Sequence, residues 1–499
     1  MRVSLHGLVG GRPARLAAVV LCASLGTAAT ASTGAGAATR GSRPPSASSL
    51  HGTLTVFDWD AFSKGGGPGG PKNYKELIDP WLKLHPGVSV TIEAPPASAN
   101  DWVVWEDTVL SSGTAPAVLS PAINMQPWLT PKWYYPLNSM LSAPDPYVPG
   151  NKHMSTLFAP KALQEWNDSG TYYSIAYTAQ DAGLVYNKTI FHKAGITTVP
   201  GTWAQLFADC AKIAKLGDVP VGMDMGDTAY GDPVPSLMAA LFSNSMQPVF
   251  DQIAGSSTAN ITVPELVKAI EDGRFSTKSP GFSEAWNLLK QFSRYFESGA
   301  DSYGSTPTQN SSLLFARGKV GMVYVGSYEF PTFTSDHLSY GIFPLPQLTR
   351  QTWTNVSAQY QGTGVMSYWD DWPWSISAAA AHKGTLSLAE NFLQWLAVPK
   401  HQDTFASNLG DVPVARTGAT VTPSASQSAP LLSVVDYIVQ HPSRITTALT
   451  AVLGPSGETQ EVKIMQEYLD GQLGLSGALG QEEALLRTSA QATRSWAHV

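Results

Sequence analysis

Hydrophobic and polar residues follow a strand–helix–strand–helix order at the start of the globular region. Residues 53–57 (TLTVF) alternate and are rich in β-formers, which predicts a buried first strand. Residues 74–84 have helical spacing up to a His-Pro-Gly sequence, and residues 88–92 again predict a strand. Residues 101–111 form an amphipathic helical pattern. This order predicts an α/β body with mostly parallel strand pairing.

A second α/β run begins near residue 171. Two β-rich pieces, 172–177 and 183–186, precede a short helical pattern at 188–194. Thr202, with Gln205 three residues later, predicts a capping box at the start of the next helix. Cys210 falls on the apolar stripe of that helix, so we predict a core thiol. Residues 282–297, residues 386–397 and the last seventy residues also have helical patterns.

The N-terminus has the pattern of a secretory signal. Arg2, Arg12 and Arg15 precede an apolar run, and small residues ending at Ala31 or Ala37 follow it. We therefore predict a signal peptide over residues 1–37, a flexible spacer over residues 38–50, and an extracellular, periplasmic or cell-surface location. Lipid attachment at Cys22 is disfavoured, because a bulky Leu precedes it where lipoprotein signals have Gly, Ala or Ser.

Charge and motif content exclude several classes of function. The net charge is −7 and no stripe of Lys and Arg is present, which disfavours nucleic acid as a partner. Nucleophile-elbow, zinc-protease and Walker patterns are absent. The ten His are scattered and never paired at zinc-type spacing. We therefore predict no catalytic residue, metal or cofactor. The glycine-rich residues 65–70 lie too far past the first strand to cradle a phosphate and predict a flexible loop.

Aromatic residues mixed with acids and amides stand out in the predicted loops. They occur at 57–60 (FDWD), 126–128 (QPW), 327–329 (SYE) and 368–374 (YWDDWPW). A pyranose presents an apolar face and a rim of hydroxyls, and it is therefore bound by flat aromatic rings together with carboxylates or amides. This pattern favours a carbohydrate ligand, although single aromatics in it can equally belong to the core.

Several segments together resemble the extracellular sugar-binding proteins of ABC importers, a maltose-binding-protein-like family. The most specific is 183–188 (GLVYNK), which continues through 191–196 (FHKAGI) to 200–203 (PGTW). The others, in family order, are 84–90, 113–118, 315–322 with 326–328, 343–346 and 389–395. Two departures are Ala117, where the family usually has Asp, and Ala176, where it often has Pro.

The resemblance implies a two-lobed α/β periplasmic-binding-protein-like (type II) fold with an interlobe hinge and a helical C-terminal segment. It places the first lobe at 51–176 and 344–398, and the second lobe at 177–343 and 399–499. We expect a monomer that holds a carbohydrate in the cleft and passes it to ABC transporter permease subunits, without catalysis. Closure around the ligand requires that the ligand contact both lobes.

The resemblance and the aromatic–acid loops together select the candidate ligand contacts. The predicted contacts are Trp59, Asp60, Trp128, Gln180, Asp181, Asp227, Tyr230, Ser327, Tyr328, Asp371, Trp372, Trp374 and Asp411. Tyr328 occupies the position where the family commonly stacks an aromatic ring on the sugar.

Two alternatives remain open at this point. The first is a secreted glycan-processing enzyme, whose acid and base would come from Asp60, Asp181, Asp227 or Asp371. The second keeps the fold but binds a polyamine, a peptide or another polar solute.

Overall fold

The computed structural model describes most of the chain beyond residue 49. The described residues are 50–58, 61–62, 69–93, 99–121, 130–158, 163, 167–168, 170–223, 225, 233–257, 259–297, 310–353, 367–413 and 443–497. The predicted signal peptide, Cys22 and nearly all of the predicted spacer lie outside these residues. No helix among the described residues is long and apolar enough to cross a membrane.

The described strands are short, with two exceptions. They are β1 (Gly52–Phe57), β2 (Val88–Glu93), β3 (Val118–Leu119), β4 (Asn167–Asp168), β5 (Thr171–Tyr172), β6 (Ser174–Asn187), β7 (Val219–Gly222), β8 (Val320–Gly326), β9 (Tyr340–Phe343), β10 (Ser367–Ile376) and β11 (Val412–Pro413). The long strands β6 and β10 are central to the sheet. The two pieces predicted near residues 172–177 and 183–186 are thus largely one continuous strand, β6.

The described helices overlap the helical patterns predicted at 74–84, 101–111, 188–194, 282–297 and 386–397 and the helix predicted after Thr202, and they include several that were not predicted. They are α1 (Gly70–Asn73), α2 (Asp79–Leu84), α3 (Ala99–Ser111), α4 (Asn138–Ser142), α5 (Lys188–Lys193), α6 (Trp203–Lys215), α7 (Pro233–Ser245), α8 (Gln247–Ala254), α9 (Val263–Glu271), α10 (Phe282–Phe292), α11 (Asn310–Ala316), α12 (Phe330–Ser335), α13 (Ala378–His382), α14 (Leu386–Ala397), α15 (Pro399–Leu409), α16 (Thr446–Leu469) and α17 (Leu475–Ala497). A π-helical turn, Tyr74–Ile78, joins α1 to α2.

Local sequence signals explain the best-defined boundaries. The Thr202 hydroxyl accepts the Gln205 N–H at 3.2 Å, while the Gln205 carboxamide oxygen accepts the Thr202 N–H. This confirms the predicted capping box at the start of α6. Cys210 lies fully buried on that helix, and burial raises the pKa of its thiol above the ordinary value. The predicted core thiol is confirmed.

Nine strands of the described chain form one sheet, in the order β2-β1-β3-β10-β6-β8-β7, with β9 and β11 also paired to β6. Parallel pairing is limited to β1 with β2, β1 with β3, and β7 with β8. Every partner of β6 is antiparallel to it. The expectation of mostly parallel pairing is therefore wrong at the centre of the sheet, because β10 and β11 return to β6 in the opposite direction.

Two large hydrophobic cores pack against the sheet. The N-terminal core contains Trp81, Ile175 and Trp374 and extends to Phe405 on α15. The C-terminal core is built by Leu184 of β6, Met322 of β8 and side chains of α6, α7, α9, α10, α16 and α17.

The two cores are not divided at the predicted lobe boundaries, because the N-terminal core also includes Phe330, Tyr340 and Ile342 of the segment expected in the second lobe. Leu345 and Leu348 belong to the C-terminal core, although a return to the first lobe was expected at 344. Phe405 packs against Phe62 and Trp374 in the N-terminal core, although a return to the second lobe was expected at 399. The helical pattern of α15 does not reveal which core its apolar face meets.

Candidate functional site

The middle of β6 is where segments from distant parts of the chain meet. One edge of β6 pairs with β10 from Ser174 to Ala182. The other edge pairs with β11 at Thr178 and Ala179, and with β8 from Ala182 onward. The chain therefore brings the ends of β8, β10 and β11 to one stretch of strand, residues 178–182.

Several predicted contact residues lie on this stretch. Gln180 and Asp181 belong to β6, where they pair with Trp369 and Tyr368 of β10. Asp371 pairs with Thr178, and Trp372 follows it in the same strand. The register thus gathers the backbone of four candidates that are separated by about 190 residues in the sequence.

Ser327 and Tyr328 lie directly beyond the end of β8. All seven residues of β8 are buried, and the strand ends at Gly326, which pairs with Ala182. A 3₁₀ turn, Ser327–Glu329, follows it and continues into α12. The turn places Tyr328 beside the middle of β6, with 37% of its surface exposed.

Asp411 reaches the same region from α15. The helix ends at Gly410, whose φ of 86° lies in the left-handed region that glycine adopts without strain. A Cβ at position 410 would lie 2.9 Å from the Ser327 carbonyl oxygen and 2.8 Å from Cδ of Pro331. Such distances leave no room for a side chain, so the α15 end packs directly on the turn that carries Tyr328.

Gly410 was not among the predicted site residues. A glycine immediately after a helical pattern is the usual sign of a helix C-terminus, and that signal was present at 399–409. The close approach to Ser327 is a tertiary contact and has no local signal.

Among the candidates whose side chains the structure describes, Tyr328 alone is exposed. Ser327 and Asp411 are fully buried beside it, so their side chains do not present a surface.

Trp374 is a correction to the predicted contacts. Its ring is fully buried in the N-terminal core, 5.5 Å from the ring centre of Phe62. The WDDWPW sequence therefore supplies a core residue at this position, where residues 373–376 of β10 are all buried.

The acidic neighbour of Tyr328 is partly withdrawn from solvent. Burial raises the pKa of Glu329 above its ordinary value, and a hydrogen bond with Ser312 partly offsets this effect.

The remaining candidates, Trp59, Asp60, Trp128, Asp227 and Tyr230, lie outside the described residues. The structure does describe the anchors of the loop after β1. The Asp58 carboxylate accepts the Phe62 N–H at 3.2–3.3 Å. Within the described chain, no group of three or more His, Cys, Asp or Glu residues could hold a metal ion.

Comparison with solved structures identifies the fold. A chitin oligosaccharide binding protein superimposes with a TM-score of 0.65, at 16% identity, over 88% of this chain and 99% of its own. Maltose-bound MalE3 of T. maritima superimposes with a TM-score of 0.63, at 16% identity, over 89% of this chain and 99% of its own. RafE in complex with raffinose superimposes with a TM-score of 0.62, at 16% identity, over 88% of this chain and 99% of its own. These likenesses confirm the predicted two-lobed α/β fold.

Sequence comparison gives the family. A curated binding protein of Brucella abortus is 27% identical over 199 residues, which are 39% of this chain and 41% of that protein. The match thus spans about two fifths of the length of this relative. The family model for bacterial extracellular solute-binding proteins matches residues 67–403, more than half of the chain. The chain belongs to the family of bacterial extracellular solute-binding proteins.

Proposed function

We propose that this protein captures a sugar or oligosaccharide between its two lobes and delivers it to the permease of an ABC importer. The protein is exported, acts as a monomer and leaves its ligand chemically unchanged. The binding region is the middle of β6, where β8, β10 and β11 end.

The exposed ring of Tyr328 carries this proposal. A large aromatic side chain that is 37% exposed lies on a turn whose Ser327 packs against Gly410. A rigidly held ring of this kind offers a flat apolar face to the C–H face of a pyranose. Glu329 beside it, and the backbone of Gln180 and Asp181 nearby, belong to the segments that would meet the hydroxyl rim.

The comparisons support a carbohydrate ligand. The solved proteins with this fold include a chitin oligosaccharide binding protein, a maltose complex and a raffinose complex. Their sugars differ in size and linkage, so they support the class of ligand and leave its identity to experiment.

Thermal unfolding of the chain without its signal peptide tests the proposal directly. The panel contains maltotriose, raffinose, triacetylchitotriose, xylotriose, spermidine and a short peptide. A ligand that binds only the folded state stabilises it by about 2.7 kcal/mol at a hundredfold excess over Kd. We expect a shift of Tm with at least one sugar, and chromatography of that sample should recover the sugar intact. A shift with spermidine or the peptide alone would overturn the ligand class, and cleavage of a sugar would establish an enzyme.

Replacement of Tyr328 tests the site. We expect Tyr328→Ala to weaken binding of the best panel sugar by more than about 1 kcal/mol, a common loss for a buried aromatic contact. Tyr328→Phe is the matched control, because it keeps the ring and should retain most of the affinity. Equal affinities of the wild type and the alanine variant, measured by calorimetry, would place the sugar elsewhere.

A further inference from the structure

A chain of hydrogen bonds, buried at Asn73 and exposed at Glu76, connects residues 61–62, which follow β1, with the end of α15. Asn73 is fully buried, and its Nδ2 donates to the Ala61 carbonyl oxygen at 3.0 Å. Its Oδ1 accepts from Nδ2 of Asn408 on α15, also at 3.0 Å. The second N–H of Asn408 Nδ2 donates a hydrogen bond to the Glu76 carboxylate at 3.0 Å.

The chemistry of these groups fixes the orientation of both amides. The Ala61 carbonyl and the Glu76 carboxylate only accept hydrogen bonds at neutral pH. Asn73 must therefore direct its NH₂ group to Ala61 and its oxygen to Asn408. Asn408 in turn uses both of its N–H donors, one for the Asn73 oxygen and one for the Glu76 carboxylate. Neither side chain can be exchanged for an acceptor-only group without breaking the connection.

Backbone contacts reinforce the same connection. A Cβ at Gly69 would lie 2.7 Å from the Asn408 carbonyl oxygen, so the glycine before α1 lets the backbone approach α15. The Asn73 N–H donates to the Gly69 carbonyl at 2.9 Å. The last glycines of the 65–70 segment are thus packed, in contrast to the flexible loop that was expected there.

The same end of α15 touches the turn that bears Tyr328. One residue separates Asn408 from Gly410, whose backbone lies against Ser327 and Pro331. The end of α15 therefore contacts two segments that are 267 positions apart in the sequence, the one at Ala61 and the turn at Tyr328.

We infer that Asn73 and Asn408 are positioning residues, which hold residues 61–62, beyond β1, and the Tyr328 turn in one fixed geometry through the end of α15. This inference rests on the proposed sugar-binding function. It adds that the binding geometry depends on two side chains that need not touch the ligand.

The test is Asn408→Asp, which keeps the size of the side chain but replaces its NH₂ donor with a carboxylate oxygen. The new carboxylate faces the Asn73 oxygen and the Glu76 carboxylate, so both hydrogen bonds are lost and like charges meet. The double variant Asn408→Asp/Glu76→Gln restores a donor and should recover part of the loss. Lys400→Gln is the matched control, because it changes the net charge equally at an exposed position on the same helix.

Hydrogen exchange without any sugar is the first readout. In Asn408→Asp we expect faster amide exchange in both connected segments, residues 58–62 with 69–73 and residues 327–331. The Lys400→Gln control should match the wild type. Faster exchange confined to α15 would overturn the inference, because it would mean that the helix end is destabilised without any effect on the two loops.

Affinity for the panel sugar that shifts Tm most is the second readout. We expect Asn408→Asp to weaken binding about tenfold, and less than about twofold in a Tyr328→Ala background, because the positioning acts through that ring. Equal losses in both backgrounds would contradict the inference. If the wild type binds no sugar in the panel, the proposed function fails, while the exchange experiment still decides whether the two loops are connected.

Discussion

Two regions of this protein bury polar groups in different ways. In the network around Trp81, Tyr147 and Asn391 of the N-terminal core, the groups are paired with one another across long sequence distances. In the C-terminal core, the hairpin of α16 and α17 encloses three glutamates, Glu458, Glu461 and Glu482, each at most 2% exposed. A fold can thus bury polar side chains that are hydrogen-bonded to one another, or it can bury carboxyl groups that have no partner.

One network in the N-terminal core pairs its polar groups. The indole N–H of Trp81 donates to Oδ1 of Asn391 at 2.9 Å, and the Tyr147 hydroxyl donates to the same oxygen at 2.7 Å. A ring nitrogen of His85 lies 2.8 Å from that hydroxyl. The network joins α2, a loop and α14, so it fixes how these elements sit together.

The glutamates of the α16–α17 hairpin are held differently. Among the described residues, the carboxyl oxygens of Glu461 and Glu482 have no hydrogen-bond partner. The cations of the neighbouring helices are engaged elsewhere: Arg494 pairs with Glu271, and Lys290 donates to the carbonyls of Tyr468 and Leu469. Burial raises the pKa of all three glutamates, to about 8 for Glu458, where a hydrogen bond with Thr450 partly offsets the effect.

The difference teaches that a paired polar group specifies a geometry, whereas an unpaired carboxyl is tolerated only while it keeps its proton. Where polar groups are paired, folding stability should depend on whether each hydrogen-bond donor and acceptor is present. Where carboxyls are buried without a partner, folding stability should depend on pH. Each prediction below separates these two modes.

The largest expected effect is the pH dependence of the α16–α17 hairpin. Between pH 4.5 and about 8 the folded state holds protons that the unfolded chain has released, so stability is greatest below this window and falls as pH rises through it. For Glu458 alone the raised pKa corresponds to a loss on the order of 5 kcal/mol. Chemical denaturation of the wild type at pH 5, 6.5 and 8 should show this decline.

Glu461→Gln tests the source of that decline. It removes one ionisable group at constant size, so the variant should be more stable than the wild type at pH 8 and should lose less stability between pH 5 and pH 8. Glu467→Gln on the same helix is the control, because Glu467 is only half-buried. An unchanged pH slope in Glu461→Gln would show that this carboxyl is not the group that titrates.

The second prediction concerns the paired network. Asn391→Ala leaves the buried Trp81 indole N–H and the Tyr147 hydroxyl without their acceptor, so we expect a loss of about 2–3 kcal/mol in unfolding free energy at pH 7.5. Asn391→Asp keeps an acceptor oxygen at the same place and should lose less. Equal losses would mean that packing, and not the hydrogen bonds, makes this network important.

The sequence predicts those features whose causes are local. The strands β1 and β2, the capping box of α6, and the bounds of α14 follow from residues within a few positions of one another. Polar residues 178–181 interrupt the hydrophobic pattern of β6, so two pieces were expected where the structure has one strand. β10 pairs with all four of these residues and β11 with Thr178 and Ala179, so the segment is extended, and no local pattern shows such partners.

The candidate site follows the same division. The loop at Tyr328 has a local aromatic–acid pattern and is exposed, whereas Trp374 has the same kind of pattern and is buried. Only strand register and the contents of the N-terminal core distinguish them. The Asn73–Asn408 contact joins residues 335 positions apart, and neither amide is distinguished by its local sequence.

The smallest expected effect is at the α6 capping box, where the polar pair is hydrogen-bonded but exposed. Thr202→Ala removes the acceptor of the Gln205 N–H, and we expect a loss of about 1 kcal/mol. Water can replace the missing partner here, as it cannot at Trp81, so the loss should be smaller than that of Asn391→Ala. Thr202→Ser keeps the hydroxyl and should retain most of the stability in the same denaturation assay. A loss of unfolding free energy as large as that of Asn391→Ala would mean that solvent exposure does not reduce the effect of a missing hydrogen-bond partner. Burial would then not explain how polar groups contribute to the stability of this protein.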